Sequence, residues 1–350
     1  MWSATGAERL SDDGRVPRAI VAVAALLAVA GCGSTHSSAP AQRHLVYLGG
    51  EDLSTASVFV ADDNGAHPRN LGRGSAAVLS PDGRTVAVRR RDGIYLVSAA
   101  GTHERPLTSR RLQPQAWSPD GLTIIATRPK LLAVLELDAI DRRSGHVRVI
   151  ASGSLYGFDF SPKGDELVYS RAPVATGQGP CGDQFDLYTT KLSGGKPTRL
   201  THDGLSAFPV WGNKGIAFAH FPAGATIEDC SAPGIWTMDA DGSNVRPVIE
   251  RAPQELASND LFGLQPLAWL DDDHILTGVR TNEGTLGAVV DTHTRRLRQL
   301  DDFADEASSD GRFAVGSGGN DQVVHLAILR LSDGHRVFRR VNACCPDWNR

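Results

Sequence analysis

The chain lacks most of the residue patterns that mark an enzyme, a metalloprotein or a nucleic-acid-binding protein. Its 36 Lys and Arg residues are outnumbered by 40 Asp and Glu residues, and a net charge of −4 provides no basic face for nucleic acid. The eleven His residues stand singly, no Cys-x-x-Cys pair is present, and no Gly-x-Ser-x-Gly nucleophile elbow occurs. We therefore expect no metal site, no cofactor, no nucleic-acid partner and no enzymatic activity.

Long amphipathic helical patterns are also absent. The apolar runs are short, and they are separated by segments rich in the 37 Gly and 19 Pro residues of the chain. This combination is typical of an all-β domain, because each short run suits one strand while Gly and Pro suit the connections.

One longer apolar run lies near the amino terminus, at residues 19–31. It is too short to cross a bilayer as a helix and ends in small residues, like the hydrophobic region of a signal peptide. Its last residues, Val-Ala-Gly, precede Cys32 and resemble the lipobox of bacterial lipoproteins, in which the Cys is acylated and becomes the mature amino terminus. The alternative is an ordinary secretory signal with a chance Cys. The segment before the run is not clearly basic, which a translation start nearer Val16 would explain.

These features predict a lipoprotein signal peptide at 1–31, a flexible tether at 32–43 and one folded domain at 44–350. The tether consists mainly of small and polar residues without periodicity. Acyl chains on Cys32 would hold the domain at the membrane without a spanning helix. We expect a monomer that is lipid-anchored on the extracytoplasmic side of the cell membrane.

The folded domain is organised around a recurring turn. At residues 115–127 a short apolar run enters a Ser-Pro-Asp-Gly turn and a β-branched run follows, which is the pattern of a tight hairpin. Related turns begin after residues 79, 160, 211, 269 and 308, a spacing of about 40 to 60 residues that is typical of a β-propeller with one four-stranded blade per repeat.

The repeat predicts six complete blades, at residues 75–109, 113–152, 155–202, 206–251, 262–302 and 305–340. Two pieces remain at the ends of the domain. Residues 44–71 have the pattern of the last three strands of a blade, and residues 341–348 have that of the first strand. Together they predict a seventh blade that closes the ring between the two ends of the chain. Six blades with a loose carboxyl-terminal end are the alternative.

At this level of detail the repeats resemble a known family. Residues 117–121, 197–201 and 238–244 resemble the propeller repeat of TolB and its relatives. The resemblance covers effectively the whole predicted domain and implies an extracytoplasmic propeller of the protein-binding kind. The additional α/β domain of TolB has no counterpart here, so the role of TolB in the Tol-Pal assembly is not implied. Peptidases with such repeats use a separate hydrolase domain, for which this chain has no room.

The Asp residues of these turns, such as Asp82 and Asp120, have two interpretations. They are either ligands or catalytic carboxylates, or they cap their own turns by accepting backbone amides while Gly adopts a positive φ. Their recurrence at the same point of each repeat favours the second interpretation. Residues 239–243 and 271–273 are likewise interpreted as turns rather than as calcium or other metal sites.

The cysteines predict a disulfide. Cys181 and Cys230 fall in long loops between the second and third strands of neighbouring blades, and such loops emerge side by side on one face. Because disulfides persist outside the cell, we predict a Cys181–Cys230 bond. Cys344 and Cys345 are assigned to the aromatic and Ser positions of the final turn, with a strained vicinal disulfide as the alternative.

Binding is predicted on the face opposite the short turns, because the loops there vary most in length. The candidate partner-binding residues lie a few positions before each turn, around the expected mouth of the central channel, and are Gln113, Tyr156, Phe208, Gln265, Asp305, Glu306 and Asn342. Tyr156 and Phe208 have a second interpretation, as core residues packed between blades.

The sequence thus predicts a membrane-anchored lipoprotein whose TolB-like propeller binds an envelope protein or a small ligand. The alternative is an extracytoplasmic hydrolase or lyase acting on a glycan or peptide at the channel mouth. Titratable groups with shifted pKa values in the channel would favour the enzyme, and a mixed or apolar patch would favour the binding protein.

Overall fold

The computed structural model describes residues 44–50, 55–130, 134–173, 183–224, 233–250, 261–281, 285–320 and 323–348. All of these residues belong to the compact unit Pro40–Arg350. The predicted signal peptide, Cys32, the tether, Cys181 and Cys230 lie outside the described residues and stay predictions.

The described residues form 27 β-strands and no α-helix, so this part of the chain is all-β as predicted. It therefore holds no helix of the length and hydrophobicity that crossing a membrane requires. The strands pair into six antiparallel sheets, of which five have four strands and one has seven.

The first sheet joins strands from both ends of the described chain. It has the order β27-β1-β2-β3 and consists of β1 (His44–Gly49), β2 (Ser57–Asp62), β3 (Arg69–Arg73) and β27 (Ala343–Trp348). In the β1–β27 pair, Leu45 lies opposite Trp348 and Gly49 lies opposite Ala343. The pairing occupies one edge of β1, which would otherwise present unpaired backbone groups.

Four other sheets follow the order of the chain, with each strand beside its neighbours in sequence. The second sheet consists of β4 (Ala76–Leu79), β5 (Thr85–Arg90), β6 (Gly93–Ser98) and β7 (Glu104–Thr108). The fourth sheet consists of β15 (Ser206–Gly212), β16 (Gly215–His220), β17 (Gly234–Met238) and β18 (Arg246–Ile249). The fifth sheet consists of β19 (Leu261–Trp269), β20 (His274–Thr281), β21 (Thr285–Asp291) and β22 (Leu297–Phe303). The sixth sheet consists of β23 (Glu306–Ala307), β24 (Phe313–Asn320), β25 (Val323–Arg330) and β26 (Arg336–Val341).

The third sheet has seven strands because one strand is shared between two four-stranded units. Its strands are β8 (Gln113–Trp117), β9 (Thr123–Pro129), β10 (Leu135–Asp141), β11 (Val147–Phe160), β12 (Glu166–Ala172), β13 (Asp186–Lys191) and β14 (Thr198–Arg199). The first half of β11 pairs with β10 and its second half pairs with β12. The register shifts between Leu155 and Phe158, where Gly157 adopts a φ of 73°. The strand therefore ends one unit and begins the next without a break.

The recurring turns are built as the sequence predicts. In the turn after β8, the Ser118 hydroxyl donates to the Asp120 carboxylate at 2.5 Å, and the Leu122 amide donates to the same oxygen at 2.9 Å. Gly121 adopts a φ of 67°, a conformation that costs little without a Cβ. Asp82 accepts the equivalent bonds from Ser80 and the Arg84 amide in the turn after β4. These carboxylates are therefore part of the scaffold.

The acidic segment at residues 239–243 is also a turn, between β17 and β18. The Asp239 carboxylate accepts a hydrogen bond from the Asn244 side chain at 2.7 Å, and the Asp241 carboxylate accepts one from the Ser243 amide at 2.9 Å. The turn at 271–273 has the same character, because Asp271 accepts the amides of Asp273 and His274. Within the part of the chain that the structure describes, no group of three or more His, Cys, Asp or Glu residues is placed to hold a metal.

Strand pairing corrects the sequence alignment of two repeats. In each first strand, one residue near the carboxyl-terminal end pairs with the second residue of the second strand of its four-stranded unit, and we call it the turn-entry residue. The turn-entry residues are Leu79, Trp117, Phe160, Trp211, Trp269, Ala307 and Trp348. The assignment of Cys344 and Cys345 to the aromatic and Ser positions was therefore wrong, because Trp348 occupies the aromatic position. In the sixth sheet the turn begins after Ala307, one residue earlier than expected.

The core lies between neighbouring sheets, where the alternating apolar residues of their strands meet. Val46, Val58, Val86 and Val88 form one such cluster between the first and second sheets, and each is fully buried. Burying one side chain of this size contributes about 1.5–3 kcal/mol. Comparable clusters join the other neighbouring sheets, and one lies between the two four-stranded units of the third sheet.

Candidate functional site

The seven turn-entry residues surround one cavity of about 550 Å³. We call it the turn-end cavity, because it opens where the first strands enter their turns. Every first strand contributes to its wall, including β27 from the carboxyl-terminal end. A position that repeats once in each unit therefore converges on a single space.

The wall of the turn-end cavity is acidic. Five acidic residues line it and, among the described residues of its wall, there is no Lys, Arg or His. The acidic residues are Asp159, Asp271, Asp272, Glu306 and Asp347. Three of them, Asp159, Glu306 and Asp347, lie one residue before a turn-entry residue. The cavity thus combines a negative charge with the aromatic residues at the turn-entry positions.

Those three carboxylates connect neighbouring sheets. The Trp211 backbone amide donates to Asp159 at 2.8 Å, the Trp348 amide donates to Glu306 at 3.1 Å, and the Leu79 amide donates to Asp347 at 2.6 Å. In each case the amide belongs to the turn-entry residue of the next first strand. Hydrogen bonds to a charged acceptor are stronger than neutral ones, so these contacts hold the cavity wall in place.

The aromatic residues of the wall are partly core and partly surface. Trp348 is 2% exposed and packs edge-on against Phe313, with ring centroids 6.5 Å apart. Trp211 and Trp269 are partly exposed. The Trp269 ring lies so close to Gly212 that an added Cβ would come within 2.5 Å of it. Glycine at that position allows the Trp269 ring to reach the wall.

A second cavity beside the first is lined by residues of the third and fourth sheets. It has a volume of about 830 Å³ and shares five wall residues with the turn-end cavity, namely Ser161, Pro162, Trp211, Gly212 and Asn213. We call it the outer groove. Its remaining wall carries charges of both signs, from Lys163, Asp165, Glu166, Lys214 and Asp239.

Tyr156 and Phe208, two of the predicted binding residues, pack against each other at the other end of the first strands. Their ring centroids are 5.9 Å apart and nearly perpendicular, and Tyr156 contacts Phe185 in the same way at 5.1 Å. Both are partly buried beside a small apolar cluster. This packing corresponds to the core interpretation that the sequence left open.

Gln113, Gln265 and Asn342 are the amide residues of the predicted set. Gln113 and Asn342 are exposed, and Asn342 adopts a φ of 56° while its carbonyl accepts the Gly50 amide. The Gln265 carbonyl accepts the Thr277 hydroxyl at 2.8 Å. Of the seven predicted residues, Glu306 lines the turn-end cavity.

Asp305 has the most strongly perturbed carboxyl near this region. Burial raises the pKa of Asp305 to about 6, against the effect of the Ser317 amide, which donates to its Oδ2 at 2.8 Å. The neighbouring charge of Glu306 raises the pKa further. Asp305, which directly precedes β23, is not among the residues that line the turn-end cavity.

Cys344 and Cys345 lie at disulfide distance from each other. Cys344 is buried in the cluster between the first and second sheets, whereas Cys345 is exposed with a φ of 56°. The vicinal pairing that the sequence left as an alternative is therefore the arrangement that the structure has.

Asp159 and Asp347 were not among the predicted site residues. A signal for them exists in the sequence, because an acidic residue precedes Phe160, Ala307 and Trp348. The signal is visible only when the final repeat is aligned on Trp348, which requires the pairing of β27 with β1.

No protein-family model matches this chain, and no curated protein matches its sequence. Several solved structures are similar to it. TolB from Acinetobacter baumannii is 16% identical with a TM-score of 0.51, over 89% of this chain and 67% of its own. An oligogalacturonate lyase from Vibrio parahaemolyticus is 15% identical with a TM-score of 0.52, over 86% of this chain and 84% of its own. The β-propeller domain of the Trilobed protease from Pyrococcus furiosus is 12% identical with a TM-score of 0.57, over 81% of this chain and 90% of its own.

At these identities the likeness shows the fold. The chain has the TolB-like β-propeller fold that the repeats predicted. The similar structures include a lyase, a TolB and a protease domain, so the fold alone does not select one activity.

Proposed function

We propose that this protein is a lipid-anchored, extracytoplasmic propeller of seven four-stranded blades that binds an envelope protein or ligand at the turn-end cavity. The observation that carries the proposal is the convergence of seven turn-entry residues on one acidic and aromatic wall. A concave site with a mixed apolar and polar lining is the usual form of a ligand-binding site.

Three observations support a closed ring of seven blades over six blades with a loose end. The third sheet divides at β11 into two four-stranded units, so the six sheets contain seven such units. The strand β27 pairs with β1 to complete one of them. The same strand neighbours β4 on one side and β23 on the other.

The cavity favours binding over catalysis because its central carboxylates already have structural partners. Asp159, Glu306 and Asp347 each accept a backbone amide from the next blade. A carboxylate that holds two blades together is poorly suited to change its protonation state in every turnover. The same groups suit a rigid binding surface, whose side chains are fixed before the ligand arrives.

An extracytoplasmic hydrolase or lyase is the second candidate, and Asp305 is the observation that favours it. A carboxyl whose pKa is about 6 is matched to general acid or base catalysis near neutral pH. An oligogalacturonate lyase is among the similar structures. The acidic wall of the turn-end cavity, however, would repel a polyuronate chain.

Capture of a partner from native membranes tests the binding function. Acylated protein is lightly crosslinked and recovered beside two variants, one carrying Tyr156→Ala with Phe208→Ala and one carrying Glu306→Gln with Asp272→Asn. We expect a partner that is recovered by the first variant and lost by the second. Equal recovery by both variants would place the binding surface elsewhere, and no partner at all would favour the enzyme.

The lipid anchor is tested separately by detergent phase partitioning. The wild-type protein and a Ser34→Ala control should enter the detergent phase, because acyl chains on Cys32 carry them there. Cys32→Ser should remain in the aqueous phase. Equal partitioning of all three proteins would contradict the proposed anchor.

A further inference from the structure

The turn-end cavity has a charge that selects among ligands. Five acidic residues line it, and none of the described residues in its wall is Lys, Arg or His. Two of the five pair with basic side chains beside the wall, Asp271 with His274 and Asp272 with Lys214, which leaves Asp159, Glu306 and Asp347 as the main source of negative charge. Asp347 in its wall is 8% exposed, and the charge of a buried group is screened less than that of a group at an open surface. A ligand group that enters is therefore favoured when it is cationic and disfavoured when it is anionic.

The aromatic wall favours the same class of group. Trp211 and Trp269 are partly exposed and line the cavity beside the carboxylates. A guanidinium or ammonium group is attracted to the face of an indole ring, and Trp is the best of the aromatic residues in this respect. The ring of Trp117, which lines the cavity, already has such a contact with a residue outside the wall, because the Arg142 guanidinium lies 5.4 Å from its centroid.

The shape of the site favours a chain rather than a single small cation. The outer groove shares five wall residues with the turn-end cavity and is lined by two neighbouring blades. Its wall carries Lys163 and Lys214 as well as acidic residues, so it has no strong preference for one sign. An extended peptide fits both parts, since one basic side chain can enter the acidic cavity while the backbone follows the mixed groove.

We infer that the turn-end cavity receives an arginine or lysine side chain of an extended peptide segment whose backbone lies in the outer groove. The inference rests on the proposed binding function and specifies its ligand class. The carboxylates of Glu306 and Asp347 contribute the charge that is recognised, and Trp211 and Trp269 contribute the aromatic surface.

Peptide pools of defined charge test this inference. The full-length acylated protein in detergent micelles is titrated with acetylated hexapeptide amides, in which one position is fixed and the others are drawn from uncharged residues. The fixed residue is Arg, Lys, citrulline or Glu, and binding is followed by tryptophan fluorescence. We expect the Arg and Lys pools to bind at least about tenfold more tightly than the citrulline pool, and the Glu pool to bind most weakly.

Two isosteric variants locate the effect. Glu306→Gln and Asp347→Asn remove one charge each but keep a carbonyl oxygen that accepts the backbone amide of the next blade, so the fold is retained. We expect each to weaken binding of the Arg pool about three- to tenfold and to leave the citrulline pool unchanged. Asp63→Asn removes the same charge from a turn that does not line the cavity and is the matched control.

Asp272→Asn provides a second test if either buried variant fails to fold. Asp272 is an exposed residue of the cavity wall, and its carboxylate lies 4.0 Å from the Lys214 ammonium group. We expect Asp272→Asn to weaken binding of the Arg pool only about twofold, because solvent screens the charge of an exposed carboxylate. Arg-pool affinities equal to wild type in all the folded cavity variants would overturn the inference.

The outcomes separate this inference from the proposed function. Equal binding of the Arg, citrulline and Glu pools, together with capture of a partner from membranes, would overturn the charge preference and leave the binding function standing. If spermidine displaces the Arg pool at a concentration equal to that of the pool, the ligand is a small cation. That result would overturn the inference of a peptide ligand. Failure of both the peptides and the membrane capture would overturn the proposed function as well.

Discussion

The two ends of the first strands differ in how they use similar residues. At the turn end, equivalent positions from every repeat meet around one cavity, and three of its carboxylates bind the backbone of the next strand. At the other end, Tyr156 and Phe208 pack as a local pair, and Gln113 and Asn342 are exposed separately. Repeated position, rather than residue type, is what brings side chains together in this fold.

The reason is geometric. Each repeat places its first strand in the same orientation. Residues that pair with equivalent positions of their second strands therefore lie at the same level along the propeller axis. The predicted binding residues were selected by residue type and not by strand register. They therefore occupy different positions along their strands from one repeat to the next. Four variants at the turn end, the other end, or both should differ in stability or partner capture.

The largest effect is expected for Trp348→Ala. Trp348 is almost completely buried and belongs to the strand that pairs with β1. Removing a buried side chain of this size costs about 3–5 kcal/mol of unfolding free energy. Urea unfolding measures it, with Tyr156→Ala as the control at the other end, where a partly exposed ring should cost about 1–2 kcal/mol. A smaller loss for Trp348→Ala than for Tyr156→Ala would contradict the importance of the β27 strand.

Asp347→Ala should have the next largest effect. The change removes the acceptor of the buried Leu79 amide, and an unsatisfied buried donor costs about 1–3 kcal/mol. Asp347→Asn should retain most of the stability, since its amide oxygen accepts the same bond. Both variants are compared with wild type by thermal unfolding at pH 7. Equal losses of stability in Asp347→Ala and Asp347→Asn would mean that the charge of Asp347, and not its hydrogen bond, holds the two blades together.

Asp305→Asn should stabilise the protein in a pH-dependent way. The folded-state pKa of about 6 lies above the ordinary value of 3.8, so the native state binds the proton between these values and stability falls as the pH rises through that range. The Asn variant does not ionise and should exceed wild type by about 1–2 kcal/mol at pH 8, after allowance for partial exposure. Urea unfolding at pH 4 and pH 8 measures the difference. An advantage that is the same at both pH values would contradict the raised pKa.

The smallest effect is expected for Gln113→Ala. Gln113 is exposed and lies away from the turn-end cavity, so its replacement should change the unfolding free energy by less than about 0.5 kcal/mol. Partner capture by this variant should equal that of wild type. If the variant captured clearly less partner with unchanged stability, the binding site would lie on the face opposite the short turns, as the sequence predicts.

The sequence was sufficient for the fold because the recurring turn is a local device. The hydrogen bonds to Asp120 and the positive φ of Gly121 all lie within five residues that begin at Ser118. The same sequence pattern therefore forms the same turn wherever it occurs. The spacing of such turns then limits the number of strands between them. The all-β class and the TolB-like propeller therefore followed from residues that are close together in the chain.

The site depended on contacts between residues that are far apart. Asp347 and the Leu79 amide are separated by 268 positions, and Leu45 lies opposite Trp348 across the first sheet. A residue's neighbours across sheets are determined by strand register, and a shift of one position turns each side chain to the opposite face. The alignment of the last repeat, the gathering of Asp159, Glu306 and Asp347, and the cavity that they line were decided only when the strands packed around a common centre.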